Sequence, residues 1–433
     1  MTSHLMLHDH PLARRALLGR AAGAAFGITL LDGLAGRLAV AEQAAAGKAA
    51  ATGSINVIYL MMRGAMSHID TFDPKPGREE QGETQAIATA VPGLQFGEHL
   101  PKLAGLADRL AVIRSLTTET GAHEQGTYLM RTSYPQLNSM RHPSFGSWAV
   151  HVLGKRSRDL PGYVLVGNGN EHPGCGFLDP AVTPVPLADP ERGLENIARP
   201  GYLSQANFER RLSLADRIDR DFKQHYAGRQ IEAYDRMYAD AVRLMGSGDL
   251  AAFDISREDA ATRDRYGRSR LGQGCLLARR LVESGVRCVE VEMGGWDMHR
   301  DLWEDLPEKV GELDTAMAAL LDDLEARGLL RSTLVVLATE FGRSPKINEN
   351  AGRDHHPAVF SCVLAGAGVK PGVVHGASDA RGHSPDRDPV SVADFNATIA
   401  HACGLPWEKE FVAPNGRPFK IGHDGKPITA VLA

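Results

Sequence analysis

The sequence predicts one α/β domain, a mostly parallel central sheet with helices on both faces and a helical insertion. Three observations carry that expectation. Short apolar runs at 56–62, 110–114, 163–166, 286–292, 333–339 and 359–364 read as buried parallel strands, because both of their faces would have to be covered. Between two of these runs lies an amphipathic helix from about 305 to 327. Its Leu306, Val310, Leu313, Met317, Leu320, Leu321 and Leu324 recur at helical spacing, and Gly328 stops it. Strand, helix and strand in that order make a crossover unit, the building block of a doubly covered sheet. Finally, polar residues gather directly after the predicted strands, where open parallel sheets bind their ligands.

The chain does not enter this fold at its first residue. Arg14, Arg15 and Arg20 form a basic region, an apolar stretch runs from Ala21 to Leu34, and Ala39-Val40-Ala41 gives a signal-peptidase pattern. The paired arginines followed by Ala16-Leu17-Leu18 resemble a bacterial twin-arginine signal. Residues 1–41 are therefore expected to be an export signal, with a periplasmic or otherwise exported product. The twin-arginine machinery is then a partner. Residues 42–433 are expected to form the single domain. Without the signal's four arginines and two aspartates, the net charge moves from −5 to about −7. That acidic balance, with no basic run, gives no reason to expect nucleic-acid binding. No stretch is long and apolar enough for a permanent membrane span.

Two segments break the strand–helix rhythm. Residues 205–280 are rich in Arg, Asp, Ala and Leu at helical spacing and read as a helical insertion or cap. Residues 167–202 are rich in Pro, Gly and Asn and read as a long surface loop. The five cysteines show no CxxC spacing, and Cys288 and Cys362 lie in apolar runs where a buried, inert thiol is expected.

The chemistry-bearing residues follow the strands. After 56–62 come His68, Asp70 and Asp73; after 286–292, Asp297 and His299; after 333–339, Glu340 and Arg343, then Arg353, Asp354, His355 and His356. Imidazole and carboxylate together are the ligand set of Zn²⁺, Mn²⁺ or Fe²⁺. Each group also has a structural reading. Asp70 and Asp73 could close turns, Asp297 and His299 could brace the Gly294-Gly295 turn, and Glu340 could pair with Arg343 or Arg353.

Several stretches carry a family resemblance. They are Ile-Asp-Thr-Phe-Asp-Pro-Lys-Pro at 69–76, Gly-Gly-Trp-Asp-Met-His at 294–299, Glu-Phe-Gly-Arg-Ser-Pro at 340–345, Gly-Arg-Asp-His-His-Pro at 352–357 and Val-Ala-Asp-Phe-Asn-Ala-Thr-Ile-Ala-His-Ala-Cys-Gly-Leu at 392–405. They resemble domain-of-unknown-function family 1501, whose members carry twin-arginine signals and are similar to the sulfatase and alkaline-phosphatase superfamily. The resemblance implies an alkaline-phosphatase-like fold and one or two bound metals. Position by position it implies metal ligands at Asp70, Asp297, His299, Glu340 and His355 or His356, with Asp354 beside them. Where the superfamily has Asp-His-Gly, this chain reads Glu340-Phe341-Gly342, so the histidine of that triplet is replaced.

The same resemblance places a nucleophile nine residues before a Thr-Gly pair. Thr132-Ser133 is the best match to that pair, and counting back lands on His123 rather than on Ser, Thr or Cys. No Cys-x-Pro-x-Arg sulfatase signature occurs in the chain. His123 could attack, act as acid or base, or add a metal ligand; Thr117, Thr118 and Thr120 are reserve nucleophiles. The expected activity is metal-dependent hydrolysis of a phosphate or sulfate ester, on a small anionic ester or saccharide substrate. His123 and His68 would serve in acid–base roles and Arg343 as the substrate's counter-charge. The expected cofactor is a divalent metal, Zn²⁺ first, with Mn²⁺, Ca²⁺ or Mg²⁺ as alternatives. The competing expectation is a non-catalytic exported metal- or ligand-binding protein that keeps the fold without the nucleophile. A third is an exported accessory protein whose helical region docks a partner.

Overall fold

The computed structural model describes residues 55–433 apart from 170, 196, 198–200 and 226–228, so the expected export signal at 1–41 lies outside the described residues. The elements that matter for the site run in chain order as follows. They are β1 (Asn56–Met62), β2 (Leu110–Thr117), α1 (His123–Thr132), α2 (Phe145–Leu153), β3 (Tyr163–Val166), β4 (Val185–Leu187), α3 (Gln205–His225), α4 (Arg229–Met245), α5 (Arg270–Glu283) and β5 (Cys288–Met293). Then come α6 (Leu302–Ala326), β6 (Thr333–Thr339), β7 (Gly342–Ile347), β8 (Arg353–His356), β9 (Phe360–Gly366), β10 (Val373–His375), β11 (Val390–Ser391) and α7 (Val392–Ala402). Among the described residues, nine strands form one sheet in the order β10-β2-β9-β6-β1-β5-β3-β4, with β11 also paired to β2.

β1 lies at the centre, parallel to β5 on one side and β6 on the other. Its residues are all buried, and the two-residue period sends them alternately to two cores. Ile58, Leu60 and Met62 pack with α5 and α6, whereas Val57, Tyr59 and Met61 pack with α2 and α7. This is the doubly covered sheet that continuous apolar runs predict. The helix expected at 305–327 is α6, which starts a turn earlier and carries Pro307 inside it.

One strand runs the other way. β9 is antiparallel to both β6 and β2, so the parallel reading of run 359–364 is corrected. An apolar run buried on both faces looks the same in either direction. Here the β7–β8 hairpin returns the chain to the sheet without a crossover, and a strand reached that way must be reversed.

The region expected as an insertion divides in two. The charged helices α3 and α4 come first, and exposed Leu214 and Ile218 lie on α3. The last part, α5, is a core helix: Leu271, Cys275, Leu276, Leu277, Ala278, Leu281 and Val282 are buried against β5 and α6. The loop expected at 167–202 contributes a strand, β4, which pairs in parallel with β3. All five cysteines are free, and burial pushes the Cys362 thiol up to about 12. Among the described residues no helix is long and apolar enough to cross a membrane.

Candidate metal centre

The carboxyl ends of β1, β5 and β6 and the start of α1 meet at one edge of the sheet. Two glycines allow the approach. Gly64 follows β1 at a φ of +112°, and a Cβ there would fall 2.5 Å from the Asp297 backbone nitrogen. Gly352, in the β7–β8 turn, has no room for a Cβ because the His299 carbonyl carbon would be 2.1 Å away. The first contact seats the loop after β5 against β1, and the second seats the hairpin against that loop.

Asp297 Oδ1 is the centre of what results. His299 Nε2 lies 3.0 Å from it, His355 Nε2 3.1 Å and His123 Nε2 3.3 Å. The Nε2 atoms of His299 and His355 are themselves 3.0 Å apart. Each ring turns its other nitrogen outward to an acceptor. His123 Nδ1 is 2.8 Å from Glu340, His299 Nδ1 2.7 Å from Asp354, and His355 Nδ1 2.6 Å from the Gly121 carbonyl. A carbonyl or ionised carboxylate can only accept, so each ring places a proton on Nδ1 and turns Nε2 toward Asp297 Oδ1, where a neutral ring offers a lone pair and a charged ring donates. The three Nε2 atoms and Asp297 Oδ1 form a compact set of atoms that a cation could join. His123 Nε2 is shut off from solvent and has no hydrogen-bond partner. His123, Asp297 and His355 offer ligand atoms within 4.8 Å of one another, a set that fits a small divalent ion.

Burial works against the Asp297 charge, but hydrogen bonds from Arg343 and His355 outweigh it and hold the carboxyl well below the ordinary range. The bond to Glu340 raises His123 above its ordinary pKa, against the effect of partial burial. The bond from His299 lowers Asp354. Phe341, fully buried, stacks on His123 at 5.0 Å and also lies 5.0 Å from His355, so the residue where a histidine was expected forms the apolar wall of the cluster.

The other expected residues sit elsewhere. His355 and His356 are neighbours on β8 and point to opposite sides, as strand geometry requires. His356 Nε2 faces the His383 carbonyl, outside the cluster. Asp70 is fully buried and paired with Arg353 at 2.7 Å; Thr84 and Ser67 donate to its remaining positions. The structure therefore does not bring Asp70 and Glu340 together around an ion. His68 is fully buried and bonded to the Gly382 carbonyl at 2.9 Å, away from the cluster. Arg343 is buried, and its guanidinium donates to the carbonyls of Gly64, Ala65 and Arg353 and to Asp297. It is a strut for Asp297 and faces no substrate. Of the reserve threonines, Thr117 and Thr120 hydroxyls are engaged with Val390 and Gln125.

A cleft of about 730 Å³ opens onto His123, Asp297 and Glu340. Its walls carry the cations Arg63, Arg270 and Lys309 and the further carboxylates Glu124, Glu171, Glu292 and Glu312. Most of these were missed in the sequence. Arg63 had a signal, its place directly after β1. Lys309 and Glu312 lie on α6 among residues that read as a solvated helix face.

The model of the family described as protein of unknown function DUF1501 matches residues 54–432. No curated protein matches the chain. Among solved structures the chain is similar to Ps i-CgsB at 10% identity, covering 86% of this chain and 75% of that one with a TM-score of 0.40. It is similar to the lipoteichoic acid synthase LtaP from Listeria monocytogenes at 9% identity, with 81% and 72% covered and a TM-score of 0.39. The phosphonate monoester hydrolase SpPMH from Silicibacter pomeroyi is 12% identical, with 87% and 76% covered and a TM-score of 0.39.

Proposed function

The chain belongs to the DUF1501 family, and we propose that it is an exported, metal-dependent hydrolase of phosphate or sulfate esters. The observation that supports this most directly is the convergence of three Nε2 atoms on one carboxylate oxygen, each ring fixed from behind by an acceptor. His123, Asp297, His299 and His355 would hold one divalent ion, Zn²⁺ first. Bound there, the ion would supply Lewis-acid polarisation of an ester oxygen and a water made acidic enough to attack.

The chain's own groups do the rest. Glu340, Asp354 and the Gly121 carbonyl hold the ring tautomers, and Arg343 holds Asp297 ionised and oriented. Lys309 would face the ester's anionic end, while Arg63 is paired with Glu171 and Arg270 donates to the Ala188 carbonyl. Ser269 is the hydroxyl side chain in the cleft wall, and it caps α5 by accepting from Gly272. Attack by water, without a covalent enzyme intermediate, follows from that wall. Asp70 is assigned to the fold, and the metal-ligand role expected for it is not retained.

The same wall favours a second reading, a non-catalytic metal-binding protein, because its one hydroxyl, Ser269, also caps α5 and no Thr or Cys lines it. Protein purified from the exported fraction separates the two. Wild type should carry about one equivalent of metal and turn over members of a phosphate- and sulfate-ester panel, and Asp297→Asn should lose both properties. Metal and turnover that survive in Asp297→Asn would remove the site; metal without turnover in wild type would leave the binder.

A further inference from the structure

Beneath the cleft, one guanidinium serves two carboxylates. Arg131, on the helix that begins with His123, is 2% exposed and pairs with both Glu290 and Glu292 on β5. Glu290 is closed on all sides. Arg131 Nε donates to Oε1 at 2.8 Å, and Tyr163 and His172 donate to Oε2 at 2.6 and 3.2 Å. His172 Nδ1 accepts from the Gly174 N–H at 3.0 Å, so Nε2 carries the proton donated to Glu290. Burial opposes the Glu290 charge, and Arg131 and His172 hold it ionised. Arg131 is thus shared between two carboxylates, and Glu292 has the fewer partners of the two.

Glu292 is not closed. Arg131 binds Oε1, and the Asn168 N–H donates to Oε2 at 3.2 Å. An ionised carboxylate accepts about four hydrogen bonds, so roughly half of its capacity is unused. A Cβ on Gly167 would lie 2.2 Å from Oε2, so the Gly167 backbone runs close beside the carboxylate. Its side chain is 7% exposed, and it lines the same cleft as His123 and Asp297. A nearly buried carboxylate, held by Arg131 and the Asn168 N–H with acceptor positions open, is a seat for hydrogen-bond donors.

We infer that Glu292 is the specificity-determining residue of the cleft, accepting hydrogen bonds from hydroxyl groups of the substrate, so that the substrate is an ester of a polyol such as a sugar. The ester part of this statement rests on the hydrolase reading above; the hydroxyl recognition does not. The anionic end then lies toward the histidine cluster and the hydroxylated body over Glu292.

The test uses calorimetry on the zinc-loaded full chain with glucose 6-phosphate, 2-deoxyglucose 6-phosphate and phenyl phosphate. Wild type should bind the glucose ester more tightly than the phenyl ester. Glu292→Gln should weaken glucose 6-phosphate by about 10–100-fold, the worth of one hydrogen bond to a charged group, and leave phenyl phosphate within about twofold. Because Glu292→Gln disturbs a buried pair, the deoxy ester gives the same comparison on intact wild type. Equal losses for sugar and phenyl esters, no loss for either, or a wild type without preference for the sugar esters would overturn the inference. Sugar preference without turnover of any ester would leave the inference standing and remove the hydrolase reading instead.

Discussion

Two aspartates at the carboxyl edge of the sheet, Asp70 and Asp297, follow neighbouring strands and had the same expected role, yet they end in opposite states. Asp70 has every acceptor position filled by the protein: Arg353 and Thr84 at Oδ1, Arg353 and Ser67 at Oδ2. Asp297 gathers three imidazoles through their inward Nε2 atoms, an arrangement the protein's own groups do not complete. A ligand set differs from a structural network by this incompleteness more than by residue type. The presence of Asp and His is common to both places.

The comparison can be broken from its closed side first. Arg353→Met would leave Asp70 as an unpaired charge at 0% exposure and should cost about 3–5 kcal/mol in urea unfolding. Zinc content in Asp70→Asn should stay at the wild-type level; loss of the metal there would put Asp70 back into the site. His68 belongs to the same closed region, and burial pushes its pKa down to about 4. Above pH 6.5 folded and unfolded chains are both neutral at this ring. Between 6.5 and about 4 only the unfolded chain takes up the proton, so stability falls as the solution is acidified through that window. His68→Leu should remove on the order of 2 kcal/mol of the stability difference between pH 7 and pH 5. An unchanged difference would show that the ring titrates normally.

The open side is sharpened by a smaller effect. Asp354→Asn keeps an acceptor for His299 Nδ1 but removes its charge. It should weaken zinc about tenfold, with the urea midpoint of the metal-free protein unmoved. A shifted midpoint with unchanged zinc affinity would make Asp354 a structural partner like Arg353.

Much of this fold was legible in the sequence, because β1, β3 and β6 are apolar runs whose limits coincide with the change to polar residues. The direction of β9 was not, since direction is decided by the hairpin that precedes it. Of the candidate site, Asp297, His299 and Glu340 were legible as polar residues after strands, and His123 through the family resemblance. The choice of His355 over His356 depends on the pairing of His355 with Arg343 across the hairpin, which one sequence does not display. Arg343 and Arg353 looked like free cations because arginine is usually exposed. Their burial follows from carbonyls of Gly64, Ala65, Pro345 and Glu80 turning toward them. Glu292 was hidden inside a strand, where its two-residue period marks only a face.

The distances along the chain between the cluster's members bear on when the centre comes into being. His123 meets Glu340 across 217 residues, and Asp297 meets His355 across 58. The sheet carries these residues, since Asp297 follows β5 and Glu340 follows β6, so the cluster exists only where the strands are already paired. The hairpin must also wait for the loop after β5, since Gly352 rests on His299. A cation would therefore meet its full set of donors only on a finished chain, so occupancy of the centre would report the completion of folding. Under the proposed twin-arginine route, that makes the compartment of folding, and not the destination, the place where the ion is selected.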